Sequence, residues 1–255
     1  MIRRHSKLLR VHVPANALLM WLAYEWLGVD ESTVGRLLLS TVDAVAILTL
    51  VCWLWGATLV WFRSKAPTLN DSFRTSLRHI GGLLLIAIGT LILYGAIGSV
   101  AGNSGPAALK VASWLTWTLR KPVKPAAVAA IFTGIFWILR WAVLPVILIP
   151  AAAQVAAMGR SGWRALSLRH PWRQWVIAPV LALAGAWLPF VILNWKPKVN
   201  SFGFEFSSFL LRAALAYAIF LTAMLALAWS QSEPRGRAAI TPEQPSPTPL
   251  APAIP

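Results

Sequence analysis

The chain has 255 residues, 58% of them hydrophobic and only 12% charged, with 23 Lys+Arg against 8 Asp+Glu and a net charge of +15. An ordinary soluble domain carries about a quarter charged residues, so the composition excludes that class. A basic nucleic-acid binder is also a poor fit, because the cations sit in short segments between long apolar runs, as in membrane loops; no nucleic-acid partner is expected.

A helix that crosses the hydrocarbon needs about 20 mostly apolar residues. Six segments meet or approach this, at about 9–28, 37–62, 80–101, 137–158, 174–195 and 207–229. Apolar residues run on continuously rather than alternating, which argues against strands. The predicted fold is all-α, a polytopic membrane bundle over 1–232 with about six spans.

In chain order, "MIRRHSKLLR" is a basic opening before an apolar stretch, the look of a secretory signal. Glu25, Trp26, Asp30 and Glu31 follow where a small-residue cleavage site belongs. The segment is therefore expected to stay as a first helix, the most polar of the six, with His12, Asn16 and Glu25 inside it. The second span is strongly apolar and holds Asp43 and the single cysteine, Cys52. One cysteine excludes an intramolecular disulfide and a cysteine metal cluster, and Cys52 is expected to be a small buried apolar residue. The third span is glycine-rich. Gly98 and Gly102 form a GxxxG, and Gly82, Gly89 and Ala96 repeat at seven. Small residues let helices approach closely in lipid, chiefly within the chain and alternatively in a homo-oligomer.

The segment "GPAALKVASWLTWTLRKPVKP" carries Ala108, Val111, Leu115 and Leu119 at helical spacing, with Trp114 and Trp117 suited to headgroup level. It reads as an interfacial helix over about 107–121, or as one arm of a re-entrant hairpin with the start of the fourth span. For that fourth span, two starts compete within 126–158. A start near Ala126 puts Arg140 past the midplane. A start near Trp137 puts Arg140 at the outer edge and leaves 126–136 as a separate outer element. Trp137 and Trp141 flank Arg140 like part of an aromatic belt, which favours the second placement. In the fifth span Ala178, Ala182 and Ala186 repeat at four. Pro145, Pro150, Pro179 and Pro189 inside spans are expected to kink them. After Trp229 the sequence holds seven of the chain's 18 prolines, so 233–255 is expected to be a disordered tail.

With the N-terminus inside, the inside segments hold twice as many lysines and arginines as the outside ones. The positive-inside rule then places both termini in the cytoplasm of a cell membrane, most simply a bacterial inner membrane. Four ionisable groups fall within spans: Glu25, Asp43, Arg140 and Arg212. Each needs a partner, a wet cavity or an exit to the headgroups. All four are expected in the outer half, where Asp43 could meet Arg140 or Arg212. A packing salt bridge is the first reading of that cluster, and a site for an anionic substrate or headgroup is the second. At the opposite boundary Arg164, Arg169, His170, Trp172 and Arg173 offer a surface for anionic lipid headgroups. No HExxH, GxSxG or Walker loop is present, so no catalytic residue, metal or cofactor is expected. The function expected is that of a non-enzymatic membrane partner or assembly protein, or a lipid-interacting bundle, with the bilayer and a membrane protein or second copy as partners. The alternative is a small-solute or lipid transporter using the Asp/Arg cluster.

Overall fold

A computed structural model describes residues 2–29, 32–63, 68–164, 172–195 and 201–232. Among them the regular structure is helix without strand: α1 (Ile2–Leu27), α2 (Val34–Arg63), α3 (Leu69–Arg78), α4 (Ile80–Gly102), α5 (Gly105–Leu119), α6 (Pro125–Ile138), a π-helical turn (Leu139–Val143), α7 (Leu144–Met158), α8 (Arg160–Arg164), α9 (Trp172–Asn194) and α10 (Phe202–Ser230). The chain is an all-α, multi-pass membrane bundle. Five stretches are long and apolar enough to cross a bilayer: Val34–Arg63, Ile80–Gly102, Pro125–Met158, Gln174–Asn194 and Phe202–Ser230. The expected proline-rich tail, 233–255, lies outside the described residues.

α1 is the exception among the six expected spans. It begins at Ile2, ahead of the expected boundary, and Arg10, His12, Asn16 and Glu25 keep it below the apolarity of the other five. Packing nevertheless ties it along α2. Near one end the His12 ring meets Thr58 at 2.7 Å, and near the other Trp26 Nε1 donates to the Ser40 carbonyl at 2.9 Å. The two helices are antiparallel over most of their length.

The region 126–158 differs from the favoured sequence reading. There is no separate outer element; α6, the π-turn and α7 form one continuous helical stretch from Pro125 to Met158. Pro125 suits a helix start, because its missing N–H falls on a position with no intrahelical partner. No breaker follows until Pro145. That residue cannot donate to the carbonyl four positions back, and the helix widens just ahead of it, with Leu144 N–H bonded to the Leu139 carbonyl. The wider turn accommodates the proline without ending the helix.

α4 and α5 run antiparallel to this long stretch in one sustained register. His79 meets Ala156, Ile86 meets Ala151, Tyr94 meets Trp141, and Ala108 meets Val128. The segment expected as an interfacial helix is thus one arm of a helical hairpin. Ala108 and Ala112 are buried on α6, with Val111 and Leu115 packed beside them, while Trp114 and Trp117 face outward. Between the arms, Val123 N–H donates to Thr116 Oγ1 at 3.0 Å. Pro125–Met158 is about 51 Å long at helical rise, against a hydrocarbon core of roughly 30 Å. The α5–α6 end of a straight hairpin therefore exceeds what the hydrocarbon can cover.

At the other end, His79 Nδ1–H donates to the Ala156 carbonyl at 3.0 Å, satisfying one of the last carbonyls of α7. Gly159 ends that helix at φ 60, and a Cβ there would strike the His79 ring, so both conformation and space call for glycine. α3 was not anticipated in the 63–79 loop. Thr68 caps it by accepting from Asp71 N–H, and Asp71 accepts from the Thr68 hydroxyl in return. Its buried face, Ser72 and Ser76, lies on α2, where the Ser76 hydroxyl donates to the Trp53 carbonyl at 3.0 Å.

The core joins α2, α4 and α7 through Val60, Leu83 and Ala156, with Cys52 packed against them. It joins α7, α9 and α10 through Val146, Ala178 and Leu227. Of the expected small-residue contacts, Gly82 abuts Val155 and Gly98 abuts Arg140, whereas Gly89 and Gly102 face open space. In α9 the small face continues from the buried Ala178 to Gly185, set against Ala223, and Ala186 is exposed.

Candidate functional site

The four intramembrane charges do not gather into one cluster among the described residues. Arg212, on α10, is buried at 8% exposure. Its side chain reaches back toward the start of its own helix, as helical side chains do, and meets the end of α9. Nη1 donates to the carbonyls of Leu193 (3.3 Å) and Trp195, and Nε to that of Ser208 at 3.2 Å. The last carbonyls of a helix lack intrahelical donors and carry the negative end of its dipole. A guanidinium there needs no carboxylate, and Arg212 clamps the α9–α10 hairpin.

Arg140 sits in the π-turn and lies across α4. Its Nη2 donates to the Tyr94 carbonyl at 3.3 Å, and the guanidinium carbon stands 4.5 Å from the Tyr94 ring centroid. The notch that admits it is Gly98, where a Cβ would collide with the guanidinium. Trp141, beside it in the turn, packs edge-on against the same tyrosine at 6.2 Å. Arg140 Nε is enclosed with no hydrogen-bond partner, and no carboxylate among the described residues neutralises the charge. A charged arginine at the bilayer centre costs about 3 kcal/mol on insertion scales, a cost that a position near the headgroups or an anionic partner relieves.

Glu25 is exposed near the end of α1, and Asp43 is half-buried on α2. Neither pairs with Arg140 or Arg212 among the described residues. Of the expected headgroup surface, Arg169 and His170 lie outside the described residues. Arg164 closes α8, and Trp172 and Arg173 open α9. Among the described residues no group of three His, Cys, Asp or Glu could hold a metal.

A polar group that sequence reasoning did not assemble lies where α1, α2 and α10 meet. His12 is fully buried, its ring tilted against that of Trp55 with 4.7 Å between centroids. Thr58 spends its proton on the Leu54 carbonyl at 3.0 Å, so its oxygen accepts from His12 Nε2–H. Nδ1 then accepts from Asn16 Nδ2 at 3.5 Å, which also donates to the Tyr217 hydroxyl at 3.4 Å, and that hydroxyl donates to the His12 carbonyl. Every proton has a place with His12 as the Nε2–H tautomer. The legible trace is a histidine and an asparagine four residues apart, on one face of the least apolar of the expected spans.

Two open clefts flank the α5–α6 hairpin. One, of about 320 Å³, is lined by Ser99, Val100, Asn103, Ser104, Ala107, Phe132 and Phe136. The other, of about 400 Å³, is lined by Ala112, Ser113, Thr116, Trp117, Val123 and Pro125. Neither is lined by an ionisable residue. No known protein family, curated protein or solved structure matches this chain.

Proposed function

We propose that this chain is a six-span protein of a cell membrane, most simply a bacterial inner membrane, with both termini in the cytoplasm. Its proposed role is non-enzymatic, as a lipid-interacting bundle or a membrane partner. The observation that supports this over solute transport is the separation of its charges. Arg140 and Arg212 are held by backbone carbonyls of different helix pairs, and Asp43 joins neither. A transporter built on the Asp/Arg group would bring those side chains to one wet cavity near the midplane.

Orientation is testable in a Cys52→Ser background. A cysteine at Ser113, exposed on α5, should react with a membrane-impermeant maleimide in intact cells. A cysteine at Ser161, exposed on α8, should react only after lysis, and the reverse pattern would invert the topology. The role is tested by native mass spectrometry of the full chain released in mild detergent. Retained lipid or a protein at fixed stoichiometry is expected. A bare monomer, together with a solute uptake activity that Asp43→Asn abolishes, would replace this reading with transport.

A further inference from the structure

Arg140 has one donor engaged, one enclosed and one edge open. Nη2 is committed to Tyr94, and Nε is buried without a partner. Nη1 makes no hydrogen bond to the described residues, yet it is not enclosed, and the residue as a whole is half-exposed. The open edge belongs to a fork that matches the oxygens of a phosphate or carboxylate.

The depth of this edge narrows the choice of anion. Counted from the His79–Gly159 corner, Tyr94 and Gly98 lie about 22 and 28 Å along α4, and Arg140 lies about 28 Å along the opposing stretch. With that corner, beside the basic Arg78 and Arg160, taken as the inner edge of a hydrocarbon core of roughly 30 Å, that is just below the headgroup phosphates of the outer leaflet. The surroundings match a lipid rather than a free ion. Below the guanidinium, Leu91 on the turn beneath Tyr94 is 61% exposed; beside it, Trp137 and Ile138 are about half-exposed. Beyond it, the cleft of about 320 Å³ begins beside Gly98 and one turn before Arg140, with Ser99, Asn103 and Ser104 as polar lining and Phe132 and Phe136 as apolar walls. Lys110, Arg120, Lys121 and Lys124 on the α5–α6 hairpin add positive charge at the same end.

We propose that the notch formed by Gly98, Tyr94 and Arg140 binds the phosphodiester of an anionic phospholipid. The phosphate accepts from Nη1, the polar headgroup enters the Ser99–Asn103 cleft, and an acyl chain runs down past Leu91. The proposal rests on the lipid-interacting reading above and makes it specific. The extra residue in the π-turn sets Arg140 and Trp141 side by side against Tyr94, so the cation is fixed at the headgroup edge rather than free to snorkel.

The test is a titration of the purified full chain in detergent with phosphatidylglycerol, counting bound lipids by native mass spectrometry. The wild type should hold one lipid more tightly than the rest. Arg140→Gln should weaken that one by about tenfold or more, and Gly98→Val, which keeps the arginine but fills its notch, should do the same. Arg74→Gln, exposed on α3 at the opposite end of the bundle, should leave it unchanged, and thermal melts of each variant separate lost binding from lost folding. Should Arg140→Gln fail to fold, Gly98→Val and Arg140→Lys carry the test. Equal lipid counts in wild type and folded Arg140 and Gly98 variants would overturn the site while leaving a lipid-interacting bundle intact. Displacement of the tight lipid by millimolar inorganic phosphate would make this a free-anion site and overturn the lipid assignment. Loss of a co-purifying protein, instead of a lipid, in Arg140→Gln would assign the open edge to a partner's carboxylate and overturn it too. A wild type that holds no lipid at all would remove the lipid-interacting reading along with the site and leave only that of a membrane partner.

Discussion

Arg212→Met should destabilise the bundle by about 3 kcal/mol or more, read as a lower melting temperature or earlier unfolding in a denaturing detergent. Methionine keeps much of the volume and the apolar stem, so the loss isolates the guanidinium. Three contacts disappear, to the carbonyls of Leu193, Trp195 and Ser208. Hydrogen bonds from a charged group each contribute about 1.5–3 kcal/mol net, and the exposed end of α9 loses its only described side-chain donor at Leu193 and Trp195. Arg212→Lys should recover part of the effect, since a point charge still favours the negative helix end but cannot serve two carbonyls in a fixed fork. Asp43→Asn, by contrast, should leave the melt where it is, because Asp43 and Arg212 do not pair. If Asp43→Asn lowered stability as much as Arg212→Met, a salt bridge would be the better description of Arg212.

Thr58→Val is the second substitution expected to be costly, at about 1–3 kcal/mol. Valine has nearly the shape of threonine, yet it strands His12 Nε2–H in a fully buried position. An orphaned buried donor costs its whole desolvation, whereas an apolar replacement of both partners can be close to neutral. His12→Leu with Thr58→Val should therefore be more stable than Thr58→Val alone. A double-mutant cycle measures this. Strict additivity of the two single losses would mean that the bond contributes nothing, and that His12 matters only as a packed ring against Trp55.

Length and hydropathy carried the class of fold and the five most apolar spans, because crossing a bilayer is a property of one segment at a time. About 20 apolar residues suffice, whatever their neighbours do. The same one-dimensional reading expected Arg140 at an outer edge, with a fourth span that starts near Trp137, from its tryptophans and its distance to the basic loop at Arg160. It missed that 126–136 continues the same helix, since nothing in a hydropathy profile separates a long helix from two elements joined end to end. α3 was legible only as the Thr68–Asp71 cap, and the cations around it pointed to a loop instead.

What the tertiary structure decided was the partner of each polar group. Four charges at similar depth suggested one cluster, but depth says nothing of rotation about each helix axis or of which helices are neighbours. Those follow from packing: Gly98 opens a notch that takes Arg140 to Tyr94, and the α9–α10 hairpin brings the end of α9 within reach of Arg212. Backbone carbonyls at a helix end or beside a glycine are invisible in a list of residue types, so the sequence pointed to carboxylates as the partners of its arginines. Only the folded chain, where main-chain acceptors have positions, turns Arg212 into a clamp and leaves Arg140 with an edge still to fill.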